Sequence, residues 1–250
     1  MLEILPIPAF RDNYIWLLHN GRQATVVDPG DSTPVIRTLQ QLGLNLDTIL
    51  ITHHHDDHIG GVSTLLQTWP ATVYAPSHAL HRFPHVPVAE GTRLTLPSLD
   101  TAFTVLAVPG HTLEHVAYYG ANCLFCGDTL FGAGCGRLFE GTPAQMFASL
   151  QRLANLPAET RVFCAHEYTE HNLRFASSLE PDNDAVNSRL QETLDTRAKG
   201  QPTLPSTMQQ ELATNPFLRC NTESLQLASG ARQQNPLQVF TALREMRNNY

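Results

Sequence analysis

Thr52 is followed by His53-His54-His55-Asp56-Asp57-His58, which puts four imidazoles and two carboxylates into one short segment. Neutral imidazole and carboxylate are ligands for zinc and related divalent ions. The apolar run Ile49-Leu50-Ile51 lies just upstream, and Ile59-Gly60-Gly61 and a helix-like stretch, Val62 to Trp69, lie just downstream. A strand ending in this segment would deliver its donors together at one edge of a sheet. A purification tag would lie at a terminus and carry no aspartate. Three more donors stand in the same kind of place. His111 ends the run from Phe103 to Gly110, Asp128 ends Cys123 to Gly127, and His166 ends Arg161 to Ala165. Short apolar runs of this sort read as buried strands. In layered α/β folds, sites gather in the loops beyond strand ends.

The candidate ligands are therefore His53, His55, Asp57, His58, His111, Asp128 and His166. A catalytic zinc typically takes three protein ligands and keeps one position open. The set is too large for one such ion and suffices for two, with one carboxylate shared. Asp128 is the natural bridge, because a carboxylate offers two oxygens where an imidazole offers one nitrogen. Two ions about 3.5–4 Å apart can hold a hydroxide between them, and metal binding draws the pKa of water from about 15.7 toward about 7. Asp57 and Asp128 would then position the nucleophile, and the chemistry is hydrolysis. His54 and Asp56 alternate with the ligands and are expected to point away. His115 is expected to be structural or to support a ligand, and Asp28 to orient one. His19, His78, His81, His85 and His171 lack company in the sequence and read as surface or satisfied polar residues.

The elements that must position these groups come in two textures. Tyr14–Leu18 and Ala24–Val27 read as strands around the hairpin signal Asn20-Gly21. Thr72–Ala75, Arg93–Leu96, Phe103–Val108 and Ala117–Tyr119 read as further strands. Pro34–Leu42 reads as a helix capped by Ser32 or Thr33, and Pro143–Leu153 as one capped by Thr142. Beyond about His166 the pattern turns helical: Glu170–Leu179, Ala185–Lys199, Met208–Ala213 and Leu237–Arg247. Asp182, Asn183 and Ser206 are candidate caps there, and no strand is expected. The chain thus divides into an α/β body, residues 1–166, and a helical extension, residues 167–250.

Bulk properties narrow the partners. The net charge is -7, and Lys199 is the one lysine among 16 basic residues. That argues against nucleic acid or an anionic membrane as partner, both of which need basic surface. An anionic substrate must instead meet a local arginine cluster. The five cysteines are odd in number and scattered, which speaks against a disulfide framework. Cys123 and Cys126 read as small core residues of a strand rather than a redox pair. No leader pattern and no membrane-length apolar run is evident, so the expectation is a cytoplasmic monomer.

The pattern His-x-His-x-Asp-His at 53–58, followed by His111, Asp128 and His166, resembles the metallo-β-lactamase superfamily. That resemblance implies an αββα sandwich with a C-terminal helical extension and a binuclear site. It implies His53, His55 and His111 on one ion, Asp57, His58 and His166 on the other, and Asp128 between them. Within the superfamily, four segments resemble the glyoxalase II (hydroxyacylglutathione hydrolase) family: Pro8 to Trp16, Cys126 to Phe131 with Gly134-Cys135-Gly136-Arg137, Glu140-Gly141-Thr142, and Ala165 to Thr169. The likeness runs over essentially the whole chain. It implies hydrolysis of the thioester S-D-lactoylglutathione to D-lactate and glutathione, the second step of methylglyoxal detoxification. It implies two divalent metal ions, zinc in the first place, with iron or manganese as alternatives. It places the glutathione part on Arg137, Tyr168, Arg244 and Arg247. Phe139 stands where some members have tyrosine, Arg247 where lysine is common, and Asn248-Asn249-Tyr250 replaces a more charged ending. A glutathione-persulfide dioxygenase of the same superfamily, with one iron, is the alternative reading.

Overall fold

Apolar residues fill nearly every position from Tyr14 to Leu18, and this strand is buried on both faces. In the computed structural model, which describes residues 2–78, 81–231 and 235–250, it lies inside a six-stranded sheet. Strands β1 (Glu3–Ala9), β2 (Asn13–His19) and β3 (Gln23–Val27) form an antiparallel meander. The β2–β3 turn is the expected one: the Asn20 side chain accepts from the Arg22 and Gln23 N–H groups, and Gly21 takes φ +87°. Helix α1 (Ser32–Leu42) leads into β4 (Asn45–Leu50), and helices α2 (Asp56–Ile59) and α3 (Val62–Thr68) lead into β5 (Thr72–Pro76). Strand β6 (Val86–Val88) completes the sheet, and β3 to β6 run parallel. Val35 and Leu39 of α1 and Val62 and Leu65 of α3 bury themselves against Ile15, Leu17, Val26 and Ile49. Strands β7 (Arg93–Leu96), β8 (Thr101–Ala107), β9 (Val116–Gly120) and β10 (Cys123–Gly127) follow as an antiparallel meander. Tyr118 on β9 is fully buried and its hydroxyl donates to the carbonyls of Ile51, at 2.7 Å, and Tyr74. This ties the meander to the first sheet. All these elements belong to one compact unit, residues 1–107 and 114–127.

The second compact unit takes residues 108–113 and 128–250. It begins with a small hairpin, β11 (Leu130–Phe131) and β12 (Gly134–Cys135). Helix α4 (Pro143–Ala154) and strand β13 (Arg161–Cys164) come next, then α5 (Thr169–Leu179) and α6 (Asp184–Ala198). Strand β14 (Ser206–Thr207) pairs with β13, and α7 (Met208–Thr214), α8 (Glu223–Ser229) and α9 (Pro236–Asn248) end the chain. Side chains of the helices hold the hairpin by its backbone. Glu211 on α7 accepts from the Ala133 N–H at 2.8 Å while pairing with Arg189 on α6 at 2.7 Å. Asn215 donates to the Gly134 carbonyl, Asn172 on α5 to that of Gly132, and Arg244 on α9 to that of Cys135.

The architecture is the expected mixed α/β one, with two sheets, flanking helices and a helical C-terminal region. Several local expectations are corrected. Asp31 caps α1 through the Thr33 N–H, in place of Ser32 or Thr33, and Thr207 caps α7 in place of Ser206. The tail does contain a strand, the two residues of β14. Strand β1 was hidden by Pro6 and Pro8, which an edge strand tolerates because half of its N–H groups need no partner. By contrast Thr142 forms the expected capping box of α4, and Asn183 and Pro236 open α6 and α9.

Candidate metal centre and substrate pocket

In the first unit the donor segment leaves β4 and closes into the single turn of α2. His53 and His58 are buried, with His55 and Asp57 partly exposed. The Nε2 of His53 lies 3.1 Å from the Nδ1 of His55. Two ligand atoms on a tetrahedral zinc, each at about 2.0–2.1 Å, are separated by about 3.3 Å. The rings of His53 and His58 stand 4.0 Å apart, and His115 stacks on His53 at 4.6 Å. A hydrogen-bond relay behind the ligands fixes their tautomers. The Asp28 carboxylate accepts from the Thr52 N–H at 2.8 Å and from the Thr52 hydroxyl at 2.7 Å. With its proton given to Asp28, that hydroxyl accepts from Nδ1–H of His53 at 3.0 Å, leaving Nε2 with its lone pair. The same Oδ2 that accepts from the Thr52 hydroxyl lies 3.0 Å from His58 Nδ1, which turns Nε2 of His58 toward Asp57 on the ligand side. Asp28 holds φ +52° to make these contacts, so it orients rather than merely turns the chain. The Asn13 amide donates to Asp57 Oδ2 at 2.9 Å.

In the second unit, Asp128 faces two imidazoles at once. Its Oδ2 lies 3.4 Å from His111 Nε2 and its Oδ1 lies 3.4 Å from His166 Nε2. These gaps are long for charge-assisted hydrogen bonds, which close to about 2.7–2.9 Å. They suit donor atoms that converge on a cation. His111 is again fixed from behind: its Nδ1 pairs with the Arg137 carbonyl at 2.8 Å, leaving Nε2 as the ligand atom. The Tyr168 ring stacks on His166 at 4.8 Å with 7° between the planes. Both halves of the donor set thus fit divalent cations by residue type, tautomer and spacing.

A cavity of about 390 Å³ opens within this second unit. Its lining includes His111 and Asp128, the cationic side chains Arg137, Arg244 and Arg247, and the aromatic rings of Phe131, Phe139 and Tyr168. All four residues expected to hold glutathione therefore share one cavity with two expected metal ligands. Burial and the nearby guanidiniums of Arg244 and Arg137 lower the pKa of Arg247, a sign of positive potential concentrated there. The two C-terminal arginines are not equivalent. Arg247 is partly exposed and rests on Asn172 Oδ1 at 3.1 Å. Arg244 is 6% exposed, lies over the Phe217 ring and donates to the Cys135 carbonyl. Phe139 is 65% exposed and meets His111 edge-on at 5.1 Å.

The five cysteines are free and buried. Burial pushes the thiols of Cys135 and Cys164 up, and that of Cys220 to about 12. None of these three is an activated nucleophile. The histidines read as solitary need correction. His54 stacks on His78 at 3.7 Å, His81 meets His78 at 6.0 Å, and His85 meets His81 at 5.1 Å. Burial and the three neighbouring imidazoles lower His81 to about 4. His171 lines the cavity, with its pKa lowered by burial and by Arg247. The sequence reading missed Thr52, Asn13 and Asn172 as supports. Thr52 had a signal, since a hydroxyl next to a ligand histidine can set its tautomer. Asn13 and Asn172 act over 44 and 75 residues of sequence, and nothing local marks them.

Residues 9–166 match the family model described as the metallo-beta-lactamase superfamily, and the described histidines and aspartates include groups of donors able to hold a metal ion. A solved structure of ETHE1 from Myxococcus xanthus is similar, with a TM-score of 0.66 and 26% identity over 99% of this chain and 98% of that one. So is a protein solved in a di-iron-bound form, with a TM-score of 0.56 and 32% identity over 65% of this chain and 91% of that one. The chain belongs to the metallo-beta-lactamase superfamily. Residues 167–250 match a second model, the hydroxyacylglutathione hydrolase C-terminus. A relative in Methylobacillus flagellatus, named hydroxyacylglutathione hydrolase, is 58% identical over the full length of both chains. Within the superfamily, this chain is a member of the hydroxyacylglutathione hydrolase family.

Proposed function

We propose that the protein hydrolyses S-D-lactoylglutathione to D-lactate and glutathione, with residues 1–166 as catalytic body and residues 167–250 as glutathione-binding extension. The observation that carries this reading is the single cavity that joins Arg137, Tyr168, Arg244 and Arg247 to His111 and Asp128. A reacting carbonyl at the Asp128 end would leave the tripeptide at the arginine end. The centre would hold two divalent ions, zinc in the first place with iron or manganese as alternatives, His53, His55 and His111 serving one, Asp57, His58 and His166 the other, and Asp128 both. When bound, such ions polarise the thioester carbonyl and make water a nucleophile near neutral pH.

The chain's own residues do the rest. Asp28, Thr52 and the Arg137 carbonyl hold three imidazoles in the ligating tautomer. Arginine forks suit the carboxylates of glutathione. The leaving thiolate has a free-thiol pKa of about 8.5 and needs little help from an acid. The burial of every cysteine, with the thiols of Cys135, Cys164 and Cys220 pushed up, supports direct attack by water rather than an acyl-enzyme. The protein works as a monomer in the cytoplasm; among the described residues, no helix is long and apolar enough to cross a membrane.

Single-turnover hydrolysis of lactoylglutathione in oxygen-18 water tests the reading. Solvent oxygen should enter the lactate directly, and glutathione should appear in equal amount. A trapped lactoyl adduct on Cys135 or any other side chain would sink it. Oxygen consumption with glutathione persulfide, without thioester hydrolysis, would favour the dioxygenase instead.

A further inference from the structure

The alternation of the donor segment sends one imidazole the other way. His54 lies between two expected ligands, yet it is 93% buried against a different partner, the ring of His78. Glu114 reaches the same place from the segment before β9. One ring nitrogen of His54, one of His78 and a carboxylate oxygen of Glu114 all lie within 4.8 Å of one another. His78 is continued outward by His81 and His85, so four imidazoles run in ring contact from the donor segment to the β5–β6 connection. None of these residues belongs to the ligand sets of the main centre.

We propose that His54, His78 and Glu114 form a separate binding site for a borderline divalent cation of the zinc class. Two imidazoles and one carboxylate are a donor set that zinc accepts, and water can complete a tetrahedron. Alkaline-earth ions prefer an all-oxygen shell and are disfavoured here. The donors of a loaded site lie about 3.3 Å apart, so binding draws these three together by about an ångström and tilts the His54–His78 stack. His78 is partly exposed and Glu114 exposed, so both can move, while buried His54 supplies the fixed point. The site is consequently weaker than the main centre and fills after it.

Calorimetric titration of zinc into the full-length protein, already loaded at its main centre and desalted, tests the assignment. The expected result is one further ion per chain. His78→Ala should abolish it, and Glu114→Gln, at an exposed position where folding is not at stake, should weaken it at least about tenfold, as the loss of even an outer support of a metal site does. Both variants should hydrolyse lactoylglutathione normally without added zinc, since neither residue is one of the main centre's ligands. No further ion in the parent protein overturns the proposal. So does an unchanged affinity in either variant, or a loss of metal from the main centre in both.

Discussion

At the scale of single residues, Asp128 carries the most weight because each of its oxygens faces a different imidazole. Replacing Asp128 by alanine should therefore lower the content of both metal ions, whereas His166→Ala should lower mainly one. Elemental analysis of the two purified variants decides this, and equal single-ion loss in both would count against the bridge. The relay behind the ligands makes a second, subtler prediction. Thr52→Val keeps shape but removes the hydroxyl that holds His53 in its ligating tautomer. Supports of this kind are worth about 10–100-fold in metal affinity. Competition with a chelator should show a loss in that range, with the thermal transition of the metal-loaded protein nearly in place. The candidate ligands were marked in the sequence by the apolar runs that precede the 53–58 segment, His111, Asp128 and His166. Of their supports Asp28 was expected, but Asn13 and Thr52 were not, because Asn13 meets Asp57, and Thr52 meets Asp28, only once the sheet has formed.

At the scale of elements, the hairpin β11–β12 is too short to hold itself and is held from the helices. Glu211 is fully buried, and its two oxygens serve Arg189 and the Ala133 N–H. Glu211→Gln would leave the Arg189 guanidinium buried without its counter-charge, a change that costs about 3–5 kcal/mol. Urea unfolding should show a loss of that order. Arg137 follows the hairpin directly, so the Michaelis constant for lactoylglutathione should rise in the same variant even where the protein remains folded. A normal stability would show that Thr214, which also bonds Arg189, suffices. The sequence revealed the long helices through their spacing and caps, and the buried strands through their apolar runs. It concealed β11, β12 and β14, which are two residues each and exist only through their partners. It also concealed the histidine run, because His54 and His78 are brought together by adjacent parallel strands, β4 and β5.

At the scale of the whole molecule, a chain of net charge -7 must bind an anionic tripeptide, so the guanidiniums around the cavity work against the overall field. A hydrogen bond to a charged group contributes about 1.5–3 kcal/mol. At 1.36 kcal/mol per factor of ten, Arg247→Ala should raise KM about 10- to 150-fold with kcat and metal content little changed. A small thioester lacking the tripeptide should be indifferent to the change and to added salt, while lactoylglutathione binding should weaken as ionic strength rises. A fall in kcat for both substrates would assign Arg247 to the fold instead. Arg244→Ala should raise KM and also lower the unfolding free energy, because that side chain packs on Phe217 and bonds Cys135. The two compact units carry a further consequence. The chain passes between them after residues 107, 113 and 127, whereas the two family models meet at 166 and 167. The genealogical seam is not the mechanical one. A protein cut at 166 would strand Asp128, the hairpin and α4 without α7 and α9, so residues 1–166 made alone should fail to unfold cooperatively. The helical extension is therefore no removable appendage: it closes the same compact unit that carries Asp128 and the hairpin.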